Sequence, residues 1–472
     1  MYYIFIGWAG AMFSLGLIWF RWVFYGLVER TTGMLNTVLD TIDDDSTKQK
    51  KLIGNLGGVL ISLVQFIGAA LVVLLITVFP VWIYSKLFQT SFNGLDLSSF
   101  WFYLALSIGS ILVFWGYSKL KKPSDYSEWS KLLHRIILDN YNISRALFWF
   151  EMRLYKPKLS EVNPKFLIVT GLARAGTTAF TNALYESNKF YSLSYSNMPF
   201  LLSPNLWRYV YNPKMSMLRE RSHGDKVLFG YNTIEALEEY FWKTELRDIF
   251  INPDTIEEHK ISDENYKNYL RYQGLLKVKE KPDKIYLAKN NNFLARYESV
   301  RSQNPDFVLL MLIRDPFQHA SSLLHQHKRQ TRMQKEDKFI LDFMNWLAHH
   351  EFGLNQKVFQ FHGNSFRSDY PKESINYWIG VWCNYYSRVQ DLPGSKSLHL
   401  ISYEDFLLHP KELLEALGIS IGIELSSVPI KKFDNPKSDS LEVDEKLAER
   451  ATEIYTSLLS DERRIAAIQI QE

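Results

Sequence analysis

The chain has 472 residues, which is enough for two or three structural units. Its formal charge of +3 is too small to indicate a nucleic-acid partner. The single cysteine, Cys383, excludes an intrachain disulfide and a cysteine-based metal cluster, and it is compatible with a reducing compartment. Hydrophobic residues make up 47% of the chain and aromatic residues 15%, and the excess lies near the N-terminus.

Three uncharged segments in the N-terminal region are each long enough to cross a bilayer, which takes about 20 apolar residues. They cover about residues 2–20, 59–84 and 97–118. The first has neither the basic start nor the small-residue cleavage site of a signal peptide, so we expect it to be a permanent span. The sequence therefore predicts an all-α membrane domain of three transmembrane helices over residues 1–122.

Basic residues flank these spans unequally. Residues 21–51, after the first span, contain five lysines and arginines, and residues 119–122, after the third, contain three. The connection between the second and third spans contains only Lys86. Because positive charge marks cytoplasmic segments, we expect an external N-terminus and a cytoplasmic catalytic part, as in a protein of the bacterial inner membrane.

A helical neck is predicted over residues 123–163. Apolar residues recur at helical spacing from Ser127 to Tyr155, and Pro157 and Pro164 then mark a short linker.

The segment over residues 165–178 reads Lys-Phe-Leu-Ile-Val-Thr-Gly-Leu-Ala-Arg-Ala-Gly-Thr-Thr. An apolar strand ends in a glycine turn and a helix pattern follows at once, so the amides of the first helical turn and the helix dipole create an anion site. Gly171 and Gly176 have the spacing of a phosphate loop, but Thr177 stands where a lysine would reach the β- and γ-phosphates. The positive charge lies in Arg174 instead. We therefore expect a 5′-phosphate or phosphosulfate as the ligand, and not a magnesium triphosphate.

Two further apolar strands deliver basic residues at their ends. Residues 284–288 lead to Lys289, and residues 307–313 lead to Arg314. Strands that alternate with helices and are apolar throughout predict an α/β fold, in this case a P-loop-type parallel sheet with helices on both faces. Ligands bind beyond the carboxyl ends of such strands, where Arg174 also falls.

The ordered set of motifs resembles the sulfotransferases that use 3′-phosphoadenosine 5′-phosphosulfate (PAPS). It consists of Arg174-Ala-Gly-Thr-Thr178, Lys289, Arg314-Asp-Pro, Ser322 and Tyr403-Glu-Asp405. The resemblance covers about Lys165–Gly418, so we assign residues 164–472 to a sulfotransferase domain. It implies a PAPS donor and no metal. By the same resemblance, the donor-binding residues are Gly171, Arg174, Ala175, Gly176, Thr177, Thr178, Arg314, Ser322 and Tyr403.

Within that resemblance, Arg314 and Ser322 would hold the 3′-phosphate, and Tyr403 would lie near the adenine. The chain departs from the family in the loop, where Ala173 replaces a proline and Ala175 a serine. Ala179 stands where cytosolic members have a tryptophan that stacks on the adenine, and Phe180 is the neighbouring aromatic residue.

Sulfuryl transfer needs neutralisation of the sulfuryl group and removal of the acceptor's proton. We expect Arg174 and Lys289 to supply the first. Cytosolic sulfotransferases place a histidine two residues after the strand-end lysine, but this chain has Asn291 there. We expect His223 to be the general base. The alternatives that stay open are Glu238, Glu239, His349, His350 and Glu351.

Two other functions remain open on the sequence: a P-loop kinase or NTPase, and a non-catalytic membrane protein with a degenerate fold. Three spans and a short neck favour an acceptor at the bilayer, namely a lipid-linked glycan, a glycolipid or a lipid hydroxyl. The oligomeric state is left open.

Overall fold

The computed structural model describes residues 1–89, 99–120, 127–159, 162–211, 219–220, 228–229, 233–362, 366–394, 397–425 and 442–466. The chain divides into two compact units. They are Met1–Ile143 and Ser144–Glu472.

The secondary structure alternates between helices and short strands after residue 166. The α-helices are α1 (Tyr2–Val38), α2 (Asp45–Leu87), α3 (Phe100–Leu120), α4 (Glu128–His134), α5 (Tyr141–Tyr155), α6 (Thr177–Glu186), α7 (Pro204–Val210), α8 (Glu239–Leu246), α9 (Asp263–Lys277), α10 (Tyr297–Gln303), α11 (Pro316–Glu336), α12 (Lys338–Trp346), α13 (Ile375–Asp391), α14 (Tyr403–Leu408), α15 (Pro410–Ile421) and α16 (Glu445–Leu459). The strands are β1 (Leu167–Thr170), β2 (Phe190–Tyr191), β3 (Arg219–Glu220), β4 (Leu228–Phe229), β5 (Thr255–Glu257), β6 (Ile285–Lys289), β7 (Val308–Ile313), β8 (Val358–Gln360) and β9 (Leu398–Ser402).

In the first unit, α1, α2 and α3 are long and apolar enough to cross a membrane. The helices α1 and α2 are longer than the predicted spans, because each continues through charged sequence toward the connection between them. Helix α1 approaches α3 closely, because a Cβ added on Gly10 would overlap the Leu106 backbone and a Cβ added on Gly109 would overlap the Gly7 backbone. Close contact of this kind increases dispersion attraction between apolar helices.

The predicted neck contains two α-helices and not one. A π-helical turn at Arg135–Asp139 follows α4. The helical conformation ends at Asn140, and α5 begins at the next residue. The Asn140 side chain donates hydrogen bonds to the carbonyls of Arg135 and Ile136, at 3.3 and 3.0 Å. These bonds satisfy carbonyls that the ended helix would otherwise leave without partners.

The second unit is built on a five-stranded sheet in the order β2-β6-β1-β7-β9. Every pairing in it is parallel, which confirms the α/β fold class. Strand β1 lies between β6 and β7, and its Leu167 pairs with Leu287 on one side and Val308 on the other.

Helices cover both faces of this sheet. Alternate strand residues, among them Val169 and Leu310, share a buried cluster with α6, α14 and α15. On the opposite face, Phe166 stacks on Phe307 with ring centroids 5.3 Å apart and meets Tyr269 of α9 edge-on at 5.6 Å. Burial on both faces is why the strands are apolar without alternation.

The parallel arrangement brings four chain segments to one edge of the sheet. The turn after β1, Lys289 at the end of β6, Arg314 after β7 and Tyr403 after β9 all lie at carboxyl ends of strands. The sequence predicted this edge as the ligand site.

Candidate active site

The turn between β1 and α6 has the backbone of an anion-binding loop. Its φ angles are +151° at Gly171, +73° at Arg174 and +92° at Gly176. The amide of Ala175 donates to Leu172 at 3.1 Å, and α6 begins directly after Gly176. The first amides of this ten-residue helix therefore lie next to the turn, where they can bind an anion. A left-handed conformation at a non-glycine residue such as Arg174 is strained and is characteristic of functional loops.

Glycine at position 176 is required by a second contact. A Cβ placed there would overlap the ring of Tyr403, and a Cβ on Gly171 would come within 3.0 Å of the Leu312 carbonyl oxygen. The Tyr403 ring therefore lies directly on the loop.

Two arginines converge beside the same loop. Arg314 is 5% exposed, and its Nη1 donates to the Arg174 carbonyl oxygen at 3.0 Å. Its guanidinium lies 4.7 Å from the centroid of the Tyr403 ring. Arg174 Nε donates to Ser322 Oγ at 3.2 Å, so the structure brings all four residues together. Burial lowers the pKa of Arg314, but a guanidinium remains charged at physiological pH.

A buried histidine that the sequence did not single out forms a hydrogen bond with the loop backbone. His319 Nε2 donates to the Ala173 carbonyl oxygen at 2.7 Å. Burial, followed by the nearby charge of Arg314, lowers the pKa of His319 to about 3, so the ring is neutral at pH 7. Its position five residues after Arg314 carried no signal of this contact, because it depends on how α11 packs under the turn.

Lys289 faces the loop from the neighbouring strand. Its Nζ donates to Thr178 Oγ1 at 2.7 Å and to Glu235 Oε2 at 2.9 Å. The side chains of Lys289 and Glu235 are each 7% exposed. An ammonium group, a carboxylate and a hydroxyl of the loop helix are thus assembled in a nearly dry site.

The sequence pattern predicts one helix from Ile234 to Trp242 that carries Glu235, Glu238 and Glu239, and it does not single out Glu235 as a site residue. That prediction was wrong: α8 begins only at Glu239, and the three glutamates at 235, 238 and 239 are all buried. The apolar and aromatic residues interleaved with them were the available signal of burial.

The Glu235 backbone is fixed by both of its neighbours. Asn182 Oδ1 accepts from the Ile234 amide at 3.2 Å, and Asn182 Nδ2 donates to the Thr178 carbonyl at 2.7 Å. On the other side, His349 Nε2 donates to the Ala236 carbonyl at 2.8 Å.

The other two glutamates have structural partners. Glu238 accepts hydrogen bonds from Tyr269, Tyr286 and Asn290 at 2.7, 2.7 and 3.0 Å, and burial raises its pKa. Glu239 forms a bidentate ion pair with Arg296, with both N–O distances at 2.6 Å. Carboxylates fully engaged in this way are poor candidates for the base.

The three residues at 349–351 separate into different environments. His350 lies near Asn355, with its Nδ1 3.2 Å from the Asn355 carbonyl oxygen, and burial lowers its pKa to about 3. Glu351 Oε1 accepts from Asn291 Nδ2 at 3.0 Å, and Asn291 Oδ1 is 3.5 Å from Thr177 Oγ1. Glu351 is therefore connected to the loop, but through an intermediary. His223 lies outside the described residues.

The two acids of the Tyr403-Glu-Asp405 motif bind neighbouring segments of the chain. Glu404 accepts from the Asp315 amide at 3.0 Å and from the Tyr455 hydroxyl at 3.1 Å. Asp405 pairs with Arg464 at 2.6 Å. The acids thus join the ends of β7 and β9 to C-terminal residues.

The aromatic residues in and after α6 pack against other aromatic rings. Phe180 is fully buried against Phe406, with ring centroids 5.0 Å apart, so its ring is not accessible to a ligand. Phe200 and Trp207 stack on each other at 4.9 Å.

Among comparisons with known proteins, only the comparison with solved structures gives matches. No protein-family model matches the chain, and no curated protein matches it. The solved structures that it matches include several sulfotransferases.

Sulfotransferase STF9 from Mycobacterium avium is 12% identical, with a TM-score of 0.40, over 73% of this chain and 89% of that one. Sulfotransferase STF1 from Mycobacterium tuberculosis H37Rv is 14% identical, with a TM-score of 0.37, over 69% and 81%. The sulfotransferase from Alicyclobacillus acidocaldarius is 15% identical, with a TM-score of 0.33, over 63% and 94%. Similarity at this level carries no argument about activity, so the proposal below rests on the site itself.

Proposed function

We propose that the chain transfers a sulfuryl group from PAPS to a hydroxyl of a membrane-associated acceptor. The observation that carries this proposal is the pair of cationic centres on either side of one lysine-less anion loop. Arg314 with Ser322 lies on the β7 side, and Lys289 lies on the β6 side. A ligand with one phosphate at the loop and a second phosphate apart from it fits two such centres.

Each group has a defined task in this proposal. The loop amides and Arg174 bind the 5′-phosphosulfate, and Arg314 and Ser322 bind the 3′-phosphate. The Lys289 ammonium stabilises the negative charge that develops on the departing phosphate oxygen. The Tyr403 ring packs against Gly176 of the loop and forms a cation–π contact with the Arg314 guanidinium.

The kinase or NTPase reading fits this site less well. It needs a lysine after Gly176 and an acid at a strand end that is able to bind magnesium. Thr177 occupies the first position. At the end of β7, Asp315 Oδ1 accepts from the Gln318 amide at 2.9 Å and so caps α11.

The proposal predicts that the full chain in detergent micelles binds 3′,5′-adenosine bisphosphate without magnesium and prefers it to ATP. The reason is the second phosphate site at Arg314 together with the absence of the triphosphate lysine. Isothermal calorimetry with both nucleotides, with and without magnesium, checks this. ATP binding that is equal or tighter and needs magnesium would support the kinase reading. Binding of the bisphosphate without any turnover would support the non-catalytic one.

Arg314→Ala should weaken binding of 3′,5′-adenosine bisphosphate about 10- to 100-fold, because a hydrogen bond to a charged group contributes roughly 1.5–3 kcal/mol. Binding of adenosine 5′-phosphosulfate, which lacks the 3′-phosphate, should change much less. Arg332→Ala, an exposed arginine on the same helix α11, is the matched control and should leave both affinities unchanged. Equal losses for the two ligands in Arg314→Ala would assign Arg314 a structural role instead.

The acceptor is proposed to be a lipid-linked glycan, a glycolipid or a lipid hydroxyl at the cytoplasmic face of the inner membrane. Support comes from three helices able to span a bilayer, which are more than an anchor needs, and from the excess of basic residues that flanks the first and third spans.

Labelled sulfate supplied to cells with and without the gene tests the acceptor. The label in the lipid extract should disappear when the gene is deleted. It should return with the wild-type gene, but not with a Lys289→Met variant. Loss of label confined to water-soluble metabolites or protein would overturn the membrane acceptor and leave the transferase reading intact.

A further inference from the structure

The site contains a carboxylate, Glu235, that the proposed reaction has not yet used, and this inference rests on that proposed function. Glu235 contacts Lys289, the cation expected to act on the donor. The same ammonium donates to Thr178, which belongs to the first turn of α6, where the loop anion would bind. An anion at the loop and the Glu235 carboxylate therefore compete for one lysine.

This competition matters because both side chains are almost completely shielded from solvent. A carboxylate that is 7% exposed receives little stabilisation from water, so its cation partner provides much of what keeps it charged. If Lys289 turns toward a bound phosphosulfate, Glu235 loses that partner and binds a proton more tightly. The carboxylate thus becomes a better base only when the donor is in place.

Glu235 is also held rigidly, as a proton acceptor must be. Asn182 fixes Ile234 to α6, and His349 fixes Ala236 from the opposite side. Glu238 and Glu239 have equally rigid supports, but tyrosines and Arg296 occupy their carboxylates. Glu351 reaches the loop only through Asn291.

We propose that Glu235 holds Lys289 while the donor is absent and accepts the proton of the acceptor hydroxyl once Lys289 has moved to the donor. In the transfer step, the acceptor oxygen forms a bond to sulfur and its proton passes to the Glu235 carboxylate. The bond between sulfur and the 5′-phosphate oxygen breaks, and its electron pair stays on that oxygen, which the Lys289 ammonium stabilises. Glu235 returns its proton to water when the products leave.

The test compares Glu235→Gln with Glu264→Gln in the full chain. Calorimetry with 3′,5′-adenosine bisphosphate reports on the competition for Lys289, and transfer of labelled sulfate from PAPS to the lipids of native membranes reports on the base. Glu235→Gln should bind the bisphosphate on the order of tenfold more tightly, because it releases Lys289. It should also slow transfer by about 100-fold or more and remove the acidic limb of the pH–rate profile. Glu264→Gln should keep the wild-type affinity and the wild-type pH profile, because Glu264 is 61% exposed on α9.

A second variant separates a base from a structural ion pair. Glu235→Asp keeps the charge on a side chain one methylene shorter, so it should restore part of the transfer rate and the acidic limb together. The inference is overturned if Glu235→Gln binds the bisphosphate no more tightly than wild type. It is also overturned if affinity, transfer and thermal stability fall together in both Glu235 variants. Failure of the wild-type chain to bind the bisphosphate would instead refute the proposed function.

Discussion

Replacement of Gly176 by alanine is expected to weaken binding of 3′,5′-adenosine bisphosphate by about 100-fold or more. The φ angle of +92° at this position is unfavourable for a residue with a Cβ, which costs about 1–3 kcal/mol. The same Cβ would overlap the Tyr403 ring, so the turn must shift. A shifted turn misaligns the amides that bind the phosphate, and each hydrogen bond to a charged group contributes roughly 1.5–3 kcal/mol.

Gly394→Ala is the matched control, because Gly394 is exposed and an added Cβ would meet its nearest atom at 3.8 Å. A double variant that also carries Tyr403→Ala removes the ring collision but keeps the backbone strain, so it should recover only part of the affinity. Calorimetry with the bisphosphate measures all of these variants. Wild-type affinity in Gly176→Ala would show that the turn does not bind the nucleotide.

The sheet and the loop could be predicted because their signals are local. Apolar runs without alternation identified β1, β6 and β7, and a parallel sheet brings their carboxyl ends together. Arg174, Lys289 and Arg314 follow from that rule alone. The observed strands differ from the predicted ones by one residue, so that Lys289 is the last residue of β6 and not the first one beyond it.

The side-chain contacts that hold the loop and Lys289 could not be predicted, because they join segments that are far apart in the sequence. Glu235 and Lys289 are 54 residues apart, and His319 and the Ala173 carbonyl are 146 residues apart. The run from Ile234 to Trp242 has a pattern that suits a helix, but its first residues are tied to α6 through Asn182. A tertiary contact thus prevails over local propensity, and Glu235 lies beside Lys289 instead of in a helix.

Arg296→Ala is expected to destabilise the second unit by about 3–5 kcal/mol, which is the usual cost of removing one partner from a buried ion pair. The Arg296 side chain is fully buried and Glu239 is 2% exposed. The guanidinium lies 5.1 Å from the ring centroids of both Trp242 and Phe250, and its Nε donates to His259 at 3.1 Å. Burial and the charge of Arg296 lower the pKa of His259 to about 3, so this histidine is neutral and able to accept that bond.

Removal of the guanidinium would therefore leave the Glu239 carboxylate without its cation and open a space between two aromatic rings. Pulse proteolysis of the full chain in urea measures the resulting loss of stability. The control is Arg271→Ala, because Arg271 is 27% exposed and its partner Glu264 is 61% exposed; exposed pairs contribute about 0–1 kcal/mol. A double variant, Arg296→Met with Glu239→Leu, removes both charges and should lie closer to wild type than Arg296→Ala does. If Arg296→Ala costs no more than Arg271→Ala, the buried pair does not hold α8 against the segment that follows β6, and the fixed position of Glu235 must come from Asn182 and His349 alone.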